Sequence, residues 1–324
     1  MKALLIAGGF GTRLRPLTNT RPKHLLPIAN RPHIEHVLDL LQSHGIDEVV
    51  LLTSYLAEAF EDVIARAGSR GVRVGVTHEE DPRGTAGAIK NAEALIGDET
   101  FLAVNGDVLS KVDLTAVFEF HRASEAVGTL VLTPVEDPSS FGVVPTDASG
   151  RVLRFVEKPP PGTAETNLIN AGVYVLEPEI LASIPPDRAV SIEREVFPPL
   201  AEEGRLFATP TDAYWMDIGT PEKYLRANLD AIAGRFPTDA AEGDGSSIVA
   251  GSATIAPDAQ VSSACIGERC VIEAGAIVSG SVLLDDVVVS PGARVIGSVL
   301  GEGVRVSEGA SVSGLTAGDG EKIS

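Results

Sequence analysis

The sequence has few cysteines, little positive charge and no long hydrophobic run. Its 324 residues include two cysteines, Cys265 and Cys270, which lack metal-ligand spacing and are typical of small apolar residues rather than of a disulfide framework. The formal net charge of −19 argues against a surface for nucleic acid or an anionic membrane, because like charges repel on approach. The apolar start, residues 1–9, is too short for a secretion signal, and no later stretch approaches a membrane span. We therefore expect a cytoplasmic protein.

Aromatic residues are missing from the last quarter of the chain. Every Phe, Tyr and Trp lies at or before Phe236. The segment that follows, residues 237–247, is rich in Asp, Gly and Ser, which is typical of a linker. The length and a hydrophobic content of 44% are sufficient for two hydrophobic cores. The sequence therefore predicts a first domain over 1–236, a linker over 237–247 and a second domain over 248–324.

The first domain alternates short apolar runs with segments of helical spacing. The pattern predicts strands over 3–7, 49–53, 72–77 and 101–105, and helices over 32–44, 57–67 and 85–95. This order is typical of an α/β domain with a Rossmann-like, mostly parallel sheet covered by helices on both faces. In such sheets the ligand binds at the carboxyl ends of the strands.

The second domain repeats apolar residues at intervals of six. The clearest run is Ile266, Ile272, Val278 and Leu284. With Gly, Ser, Ala and Val between, this period predicts a left-handed parallel β-helix of the hexapeptide type, in which each coil stacks on the next. Three hexads make about eighteen residues per coil, so about four coils fit between residues 248 and 315. A β-sandwich, the alternative, would show a period of two and usually carry aromatic residues.

A glycine-rich segment directly after the first strand is the strongest candidate for chemistry. It reads Gly8-Gly9-Phe10-Gly11-Thr12-Arg13 and is followed by Arg21-Pro22-Lys23. The glycines let the backbone approach a phosphate or a base closely, and the basic side chains supply the charge that a triphosphate needs. The spacing fits neither the dinucleotide fingerprint nor the Walker loop. A glycine turn with solvent-exposed basic residues is the alternative.

Together with later segments, this motif resembles the signature of the sugar-nucleotide pyrophosphorylases, which are sugar-1-phosphate nucleotidyltransferases. The matching segments come in the family's order: Pro82-Arg83-Gly84-Thr85-Ala86, Asn105-Gly106-Asp107, Phe155-Val156-Glu157-Lys158-Pro159, Asn170-Ala171-Gly172 and Trp215-Met216-Asp217-Ile218-Gly219. With residues 191–198, they most resemble the mannose-1-phosphate guanylyltransferase branch. A β-helix extension also belongs to the family. His24 departs from that branch, which usually has Pro there, and residues 25–28 are similar to the thymidylyl- and uridylyltransferases.

The resemblance implies an enzyme that transfers a nucleoside monophosphate from an NTP to a sugar 1-phosphate and releases pyrophosphate. It makes Arg13 and Lys23 the catalytic residues, and Asp107 and Asp217 the ligands of Mg²⁺. Mg²⁺ prefers one or two carboxylates plus phosphate oxygens, which suits this pair. Without the resemblance, an aspartate after a strand would more often be a turn or cap residue.

The resemblance also implies the substrate contacts. Gly8, Gly9, Gly11, Thr12, Gly84 and Thr85 would line the nucleotide. Gly142, Glu157, Lys158 and Asn170 would line the sugar phosphate, with the Lys on the phosphate and the Glu on vicinal hydroxyls. Glu157 and Lys158 follow a strand expected over 151–156. A solvated charge pair and ordinary turn residues are the alternatives.

Glu79 favours guanine as the base. It stands five residues before Gly84, where the thymidylyl- and uridylyltransferases typically carry Gln. A carboxylate only accepts hydrogen bonds at neutral pH, and guanine offers two adjacent donors, whereas uracil and thymine offer one donor flanked by acceptors. An unmatched buried polar group costs about 1–3 kcal/mol, so we expect GTP to be preferred. The alternative is that Glu79, with Glu80 and Asp81, belongs to a solvated acidic loop.

Other activities and the assembly are also considered. The alternatives within the family are a thymidylyl-, uridylyl- or adenylyltransferase on glucose 1-phosphate, and a guanylyltransferase on a heptose or cyclitol phosphate. A non-catalytic sugar-nucleotide sensor would be expected to lose Arg13, Lys23 or an aspartate, and all are present. An acyltransferase would need a histidine near the coils, and none follows His121. We expect the β-helix to mediate a homodimer or a higher homo-oligomer.

Overall fold

Two units make up the described part of the chain, and each combines two separate stretches. The computed structural model describes residues 1–54, 56–79, 81–238 and 247–324. The first unit contains Met1–Gly9 and Val37–Trp215, and the second contains Phe10–His36 and Met216–Ser324. The predicted linker, 237–247, falls mostly on residues outside the described ranges, so the domain boundaries stay a prediction.

The elements before the β-helix alternate as the apolar pattern indicates. The strands are β1 (Lys2–Ile6), β2 (Pro27–Ile28), β3 (Arg31–Pro32), β4 (Glu48–Thr53), β5 (Arg73–His78), β6 (Phe101–Asn105), β7 (Val108–Ser110), β8 (Gly128–Pro134), β9 (Gly142–Val143), β10 (Val156–Glu157), β11 (Leu168–Leu176), β12 (Leu206–Pro210) and β13 (Trp215–Asp217). The α-helices are α1 (His33–Ser43), α2 (Glu61–Ser69), α3 (Gly84–Asn91), α4 (Glu93–Ile96), α5 (Leu114–Ala123), α6 (Phe197–Glu202) and α7 (Pro221–Ile232).

The first unit is built on one mixed sheet. Its main path runs β10-β9-β11-β6-β1-β4-β5, and β8 pairs with both β11 and β12. β1 lies between β4 and β6 and is parallel to both, whereas β11 is antiparallel to β6. Leu4 and Leu5, adjacent residues that point to opposite faces, are both fully buried, as expected for a strand covered on both sides. The predicted α/β, Rossmann-like sheet is confirmed.

Three predicted elements differ in detail. The helix expected over 57–67 is a 3₁₀ helix over Ala57–Phe60 and becomes α2 at Glu61. The helix expected over 85–95 is interrupted at Ala92, which separates α3 from α4. The strand expected over 151–156 is wrong, because β10 contains Val156–Glu157 alone and the chain before it makes only isolated bridges at Arg151 and Val152. Glu157 therefore lies within a short strand rather than after a long one.

The second unit contains the predicted left-handed parallel β-helix. Its short strands are β14 (Ile248–Val249), β15 (Thr254–Ile255), β16 (Gln260–Ser262), β17 (Cys265–Ile266), β18 (Val271–Ile272), β19 (Ile277–Ser279), β20 (Val282–Leu283), β21 (Val288–Val289), β22 (Arg294–Ile296), β23 (Val299–Leu300), β24 (Arg305–Val306), β25 (Ser311–Ser313), β26 (Thr316–Ala317) and β27 (Lys322–Ile323). Within the described residues they form three parallel sheets, one for each side of the coil.

The coil repeat is seventeen residues rather than the expected eighteen. Cys265 pairs with Val282, and Val282 pairs with Val299, so every coil advances the chain by the same step. Two sides of each coil advance by six residues and the third by five. The inward residue after Val278 is therefore Leu283, where a period of six had predicted Leu284.

Cys270 belongs to the packed interior of the β-helix, whereas Cys265 faces Ala29 and Tyr224, outside the coils. Both are free thiols and both are buried. Burial raises the pKa of the Cys265 thiol to about 12 and that of Cys270 to about 11. They are small apolar packing residues, as the sequence indicates. In the described part of the chain, no helix combines the length and the hydrophobicity that a bilayer span requires.

Candidate functional site

The first two glycines of the signature lie at the carboxyl end of β1. A Cβ added to Gly8 would come within 2.9 Å of Ser54 Oγ, so the residue has little room for a side chain. The Ser54 hydroxyl donates to the Gly8 carbonyl oxygen at 2.5 Å, which fastens the turn to the end of β4. Gly9 is exposed. The backbone here is fixed from one side and open on the other, as a close approach to a ligand requires.

The next part of the signature brings Gly11 and Lys23 together. A Cβ on Gly11 would lie 3.1 Å from Lys23 Cβ, and the Thr18 hydroxyl donates to the Gly11 carbonyl oxygen at 2.8 Å. A 3₁₀ turn over Thr12–Leu14 buries Leu14 completely and leaves Thr12 and Arg13 exposed. The buried leucine anchors the turn, and Arg13 is an exposed residue of the same turn.

Asp217 lies close to Arg13 within the second unit. A Cβ added to Gly219 would lie 2.8 Å from Arg13 Nη2 and 3.0 Å from Asp217 Oδ1. Lys223 donates from Nζ to Asp217 Oδ2 at 3.1 Å. Lys223 stands in the first turn of α7, whose start is capped by Thr220. Sequence reasoning missed Lys223, although the Thr-Pro cap signal before it predicts a helix start at this point.

The narrow space at Gly219 makes a testable prediction. In Gly219→Ala, the added methyl group displaces the guanidinium of Arg13 or the carboxylate of Asp217. Both are flexible side-chain ends, so we expect the free energy of unfolding to change by about 1 kcal/mol or less. Misplaced charges should lower kcat/KM roughly ten- to a hundredfold. Gly251→Ala is the control, because a Cβ there meets no atom within 4 Å. Equal turnover in the two variants would contradict this geometry.

Asp107 follows β6 at the same sheet edge as Gly8. Ile6 and Asn105 are register partners in the parallel pair β1 and β6, and the Gly106 amide donates to the Ile6 carbonyl oxygen at 2.9 Å. Asp107 comes next and is half-buried. The sheet therefore presents this carboxylate where ligands of parallel sheets bind.

The predicted metal ligands fit a hard divalent cation. Among the described residues, no group of three or more His, Cys, Asp and Glu side chains forms a complete metal cage. Mg²⁺ does not need one, because it is commonly bound by one or two carboxylates together with substrate phosphates. Asp107 and Asp217 are both half-buried carboxylates, and Lys223 holds one oxygen of the latter. This chemistry suits an ion that arrives with the nucleotide.

Glu79 is a buried carboxylate at the end of β5. Only 4% of the residue is exposed. Its Oε2 accepts from the Arg83 amide at 3.3 Å, and its buried Oε1 has no hydrogen-bond partner among the described residues. Burial raises the pKa of this carboxyl group above its usual value, an effect opposed by the Arg83 amide and by the charges of Arg83 and His78. Glu79 is therefore not the solvated acidic residue of the alternative interpretation.

Gly84 and Thr85 lie at the start of α3 and contact the segment around Val190. A Cβ on Gly84 would lie 2.6 Å from the Val190 carbonyl oxygen. That same oxygen accepts from the amides of Ala86 and Gly87. The Thr85 hydroxyl donates to Glu193 Oε2 at 2.9 Å, a partner that sequence reasoning missed. Both residues therefore shape the α3 terminus, and their contact with a nucleotide stays a prediction.

The structure groups three of the four predicted sugar-phosphate residues. Gly142 and Glu157 are register partners in the β9–β10 pair, and a Cβ on Gly142 would lie 3.1 Å from Glu157 Oε2. Lys158 is exposed and lies 3.6 Å from Glu157 through its Nζ. Asn170 lies on β11, which also pairs with β9. Its amide nitrogen donates to the Tyr174 hydroxyl at 2.8 Å, and its oxygen accepts from the Gly172 amide at 3.0 Å.

A glycine-rich turn at the carboxyl edge of a Rossmann-like sheet, followed by a parallel β-helix, defines the chain as a nucleotidyltransferase. The chain belongs to the nucleotidyl transferase family, whose family model matches residues 2–234. A second family, described as the GMPPB C-terminal domain, matches residues 244–322. The family predicted from the sequence is confirmed. Members of this family typically use a divalent metal ion.

Relatives and solved structures agree with this assignment. A mannose-1-phosphate guanylyltransferase of Mycobacterium tuberculosis is 41% identical over 262 residues, which cover 79% of this chain and 72% of that protein. The mannose-1-phosphate guanylyltransferase catalytic subunit beta of Danio rerio is 42% identical over 229 residues, covering 69% of this chain and 63% of that protein. The crystal structure of HddC from Yersinia pseudotuberculosis complexed with GMP-PN is 30% identical, with a TM-score of 0.60, and covers 70% of this chain and 97% of that one.

Proposed function

We propose that the protein transfers GMP from GTP to mannose 1-phosphate, forming GDP-mannose and releasing pyrophosphate, with Mg²⁺ as the metal ion. The main support is that relatives matched over most of this chain are mannose-1-phosphate guanylyltransferases. Glu79 adds further support. Its buried Oε1 has no hydrogen-bond partner among the described residues, so the carboxylate can accept from the adjacent donors of guanine.

The proposed reaction is a direct displacement at the α-phosphorus. A phosphate oxygen of the sugar 1-phosphate attacks, and pyrophosphate leaves from the opposite side. We assign Arg13 to the departing β- and γ-phosphates, Lys23 to charge developing at the nucleotide, and Lys158 to the attacking phosphate. Asp107 and Asp217 would hold Mg²⁺, which neutralises phosphate charge when bound. Both reactants are anionic, so electrostatic stabilisation is expected to supply most of the catalysis.

The remaining contacts follow the same division. We assign the nucleotide to the backbone of Gly8, Gly9 and Gly11, to Thr12, and to the α3 start at Gly84 and Thr85. We assign the sugar hydroxyls to Glu157 and Asn170, beside Gly142.

We also propose a catalytic domain over 1–236 and a β-helix domain over 248–324, and a cytoplasmic location, where GTP is available. A homodimer or higher homo-oligomer formed through the β-helix is proposed too, and light scattering on the full chain tests it.

A pyrophosphate-release assay over a grid of NTPs and sugar 1-phosphates tests the function. We expect GTP with mannose 1-phosphate to give the highest kcat/KM. Glucose 1-phosphate, a heptose phosphate and a cyclitol phosphate serve as the competing acceptors. Preference for dTTP or UTP with glucose 1-phosphate would overturn the proposed substrates, and no turnover with any pair would favour a sugar-nucleotide sensor.

Glu79→Gln tests the choice of base. The variant loses one acceptor for guanine and gains a donor that suits uracil or thymine, so selection of GTP over UTP should fall about ten- to a hundredfold. In the native enzyme, kcat/KM for GTP should also fall as the pH is lowered through the raised pKa of Glu79, because the protonated group accepts less well. That limb of the pH profile should disappear in the variant. Asp81→Asn, an exposed carboxylate nearby, should change neither property.

A further inference from the structure

Arg21 stands inside the signature, and the reaction assigns it no role. Its Nη2 lies 2.5 Å from Glu302 Oε2 and 3.1 Å from Asp319 Oδ2. The Arg21 side chain is only 23% exposed. Asp319 is 19% exposed, so its pair with Arg21 is more firmly fixed than a surface ion pair, and Glu302, 46% exposed, adds a second acceptor. The contact joins positions that are 281 and 298 residues apart in the sequence.

The two acceptors are equivalent positions of successive coils. Glu302 and Asp319 are separated by one coil repeat, and both follow a strand of the same side. Asp319 Oδ1 accepts from the Glu302 amide at 2.8 Å, so its carboxylate is fixed to the neighbouring coil. Asp285 does the same two coils earlier, accepting from the Glu268 amide at 3.0 Å. These corners are rigid, because successive coils are hydrogen-bonded to each other.

The same stretch of signature is attached to the β-helix at further points. The Thr20 hydroxyl donates to Asp319. A Cβ on Gly318 would lie 3.0 Å from Pro16 Cβ, so the coil backbone packs on the proline ring. The side-chain nitrogen Nδ2 of Asn30 donates to the Ile266 carbonyl oxygen at 2.8 Å. Attachments thus occur before, at and after Arg21, which agrees with the membership of Phe10–His36 in the second unit.

The segment Phe10–His36 contains little regular secondary structure that could stabilise its conformation. Between Phe10 and His36 it contains two 3₁₀ turns and the two-residue strands β2 and β3, followed by the start of α1. Ordering an irregular segment costs backbone entropy at every residue, and contacts from outside the segment must offset that cost. Arg13 and Lys23 belong to it, so its order determines how sharply those two charges are placed.

We propose that Arg21 is a positioning residue. Its contact with Glu302 and Asp319 fixes the segment Phe10–His36 on the β-helix, and so holds Arg13 and Lys23 in place for the nucleotide. The β-helix then contributes to the geometry of the nucleotide site, in addition to any role in assembly. The proposal rests on the function proposed above for Arg13 and Lys23. It assigns no contact between Arg21 and the substrates.

The test compares full-length variants on both sides of the contact. Arg21→Ala removes the cation, and Arg21→Lys keeps the charge but not the two-carboxylate geometry. The double variant Glu302→Gln with Asp319→Asn removes both charges, while the Asn oxygen still accepts from the residue 302 amide. Arg269→Gln is the matched control. Arg269 forms an ion pair with Asp286 at 2.6 Å within the β-helix, and it forms none with the described residues of the segment Phe10–His36.

Two measurements are made on each variant: kcat and KM for the preferred NTP, and hydrogen exchange of residues 12–26 without substrate. Arg21→Ala and the double variant should each lower kcat/KM about tenfold or more and speed exchange over 12–26. Arg21→Lys should be intermediate. Combining Arg21→Ala with the double variant should add little, because all three changes break one contact. Arg269→Gln should stay within about twofold of the native enzyme in kcat/KM.

The carboxylate variants decide the matter. If Arg21→Ala loses activity while the double variant keeps native kcat/KM and native exchange, Arg21 acts on the substrate directly and the proposal is wrong. Native behaviour in all variants overturns it as well. Should Arg21→Ala fail to fold, the conservative carboxylate variants still give both readouts. The exchange result does not depend on which substrates are used, so it remains decisive if GTP or mannose 1-phosphate proves to be the wrong assignment.

Discussion

Asp107→Asn and Asp217→Asn should each lose at least about a hundredfold in kcat while the fold survives. A bound metal ion contributes several kcal/mol of charge stabilisation to phosphoryl transfer, and a loss of about 1.4 kcal/mol slows a reaction tenfold. Asparagine keeps the size of the side chain and removes the charge. Both aspartates are half-buried, so the substitution should leave the hydrophobic core untouched. The measurement is steady-state turnover with a Mg²⁺ titration, accompanied by thermal unfolding.

Asp212→Asn is the matched control for these variants. It makes the same chemical change at an exposed position five residues before Asp217, and it should keep native turnover. Asp217→Asn should additionally weaken the interaction with Lys223, whose Nζ now contacts the carboxylate at 3.1 Å. If either aspartate variant turned over normally at saturating Mg²⁺, that residue would have to be removed from the metal site.

Gly84→Ala should destabilise the fold by about 3 kcal/mol or more. The φ of Gly84 is +71°, a conformation that costs a residue with a Cβ about 1–3 kcal/mol. The added Cβ would also lie 2.6 Å from the Val190 carbonyl oxygen, a backbone atom that cannot rotate away. Because this oxygen also accepts from the first amides of α3, the strain should spread to the helix start. Urea unfolding with intrinsic fluorescence measures the loss.

Gly45→Ala separates the two causes. Gly45, just after α1, has a similar φ of +74°, but a Cβ there meets nothing within 4 Å. This variant should therefore show only the conformational cost, about 1–2 kcal/mol. Equal destabilisation in the two variants would mean that the clash with Val190 is relieved by a backbone shift.

The sheet around the first strand was predictable because its signal is local. The strands at β1, β4 and β6 are short apolar runs buried on both faces, and each ends close to the predicted residue. β10 was not predictable in the same way. It contains only Val156–Glu157, and its pairing with Gly142–Val143 depends on a segment that is distant in sequence.

The β-helix was predictable in kind but not in period. The five-residue side places Leu283 inward, yet Leu284 is also buried, so hydrophobicity alone does not choose between a step of five and a step of six. Stacking is what sets the register. Ladder partners such as Cys265 and Val282 reveal the true repeat only when successive coils are aligned.

In the candidate site, the sequence predicted which chemistry the residues serve, but not their hydrogen-bond and ion-pair partners. The residue types of the signature predicted a phosphate-binding segment. The bond from Thr85 to Glu193 spans 108 positions, and the contacts of Arg21 span nearly the whole chain. A single sequence carries no local signal for pairs so far apart. Guanine recognition required Glu79 to be buried, whereas its acidic neighbours left a solvated loop as the alternative, and the structure buries it.

The constant coil repeat restricts how this chain can change length. Inserting or deleting one residue within a coil shifts every later residue out of register with its ladder partner. Gaining or losing a whole coil keeps the pairing between neighbouring coils intact. A coil gained after Asp319 would leave the partners of Arg21 where they are. A coil gained between residues 267 and 301 would move both acceptors along the axis by one coil and present Arg21 with a different corner. Natural length variation in the β-helix should therefore accumulate at its carboxyl end.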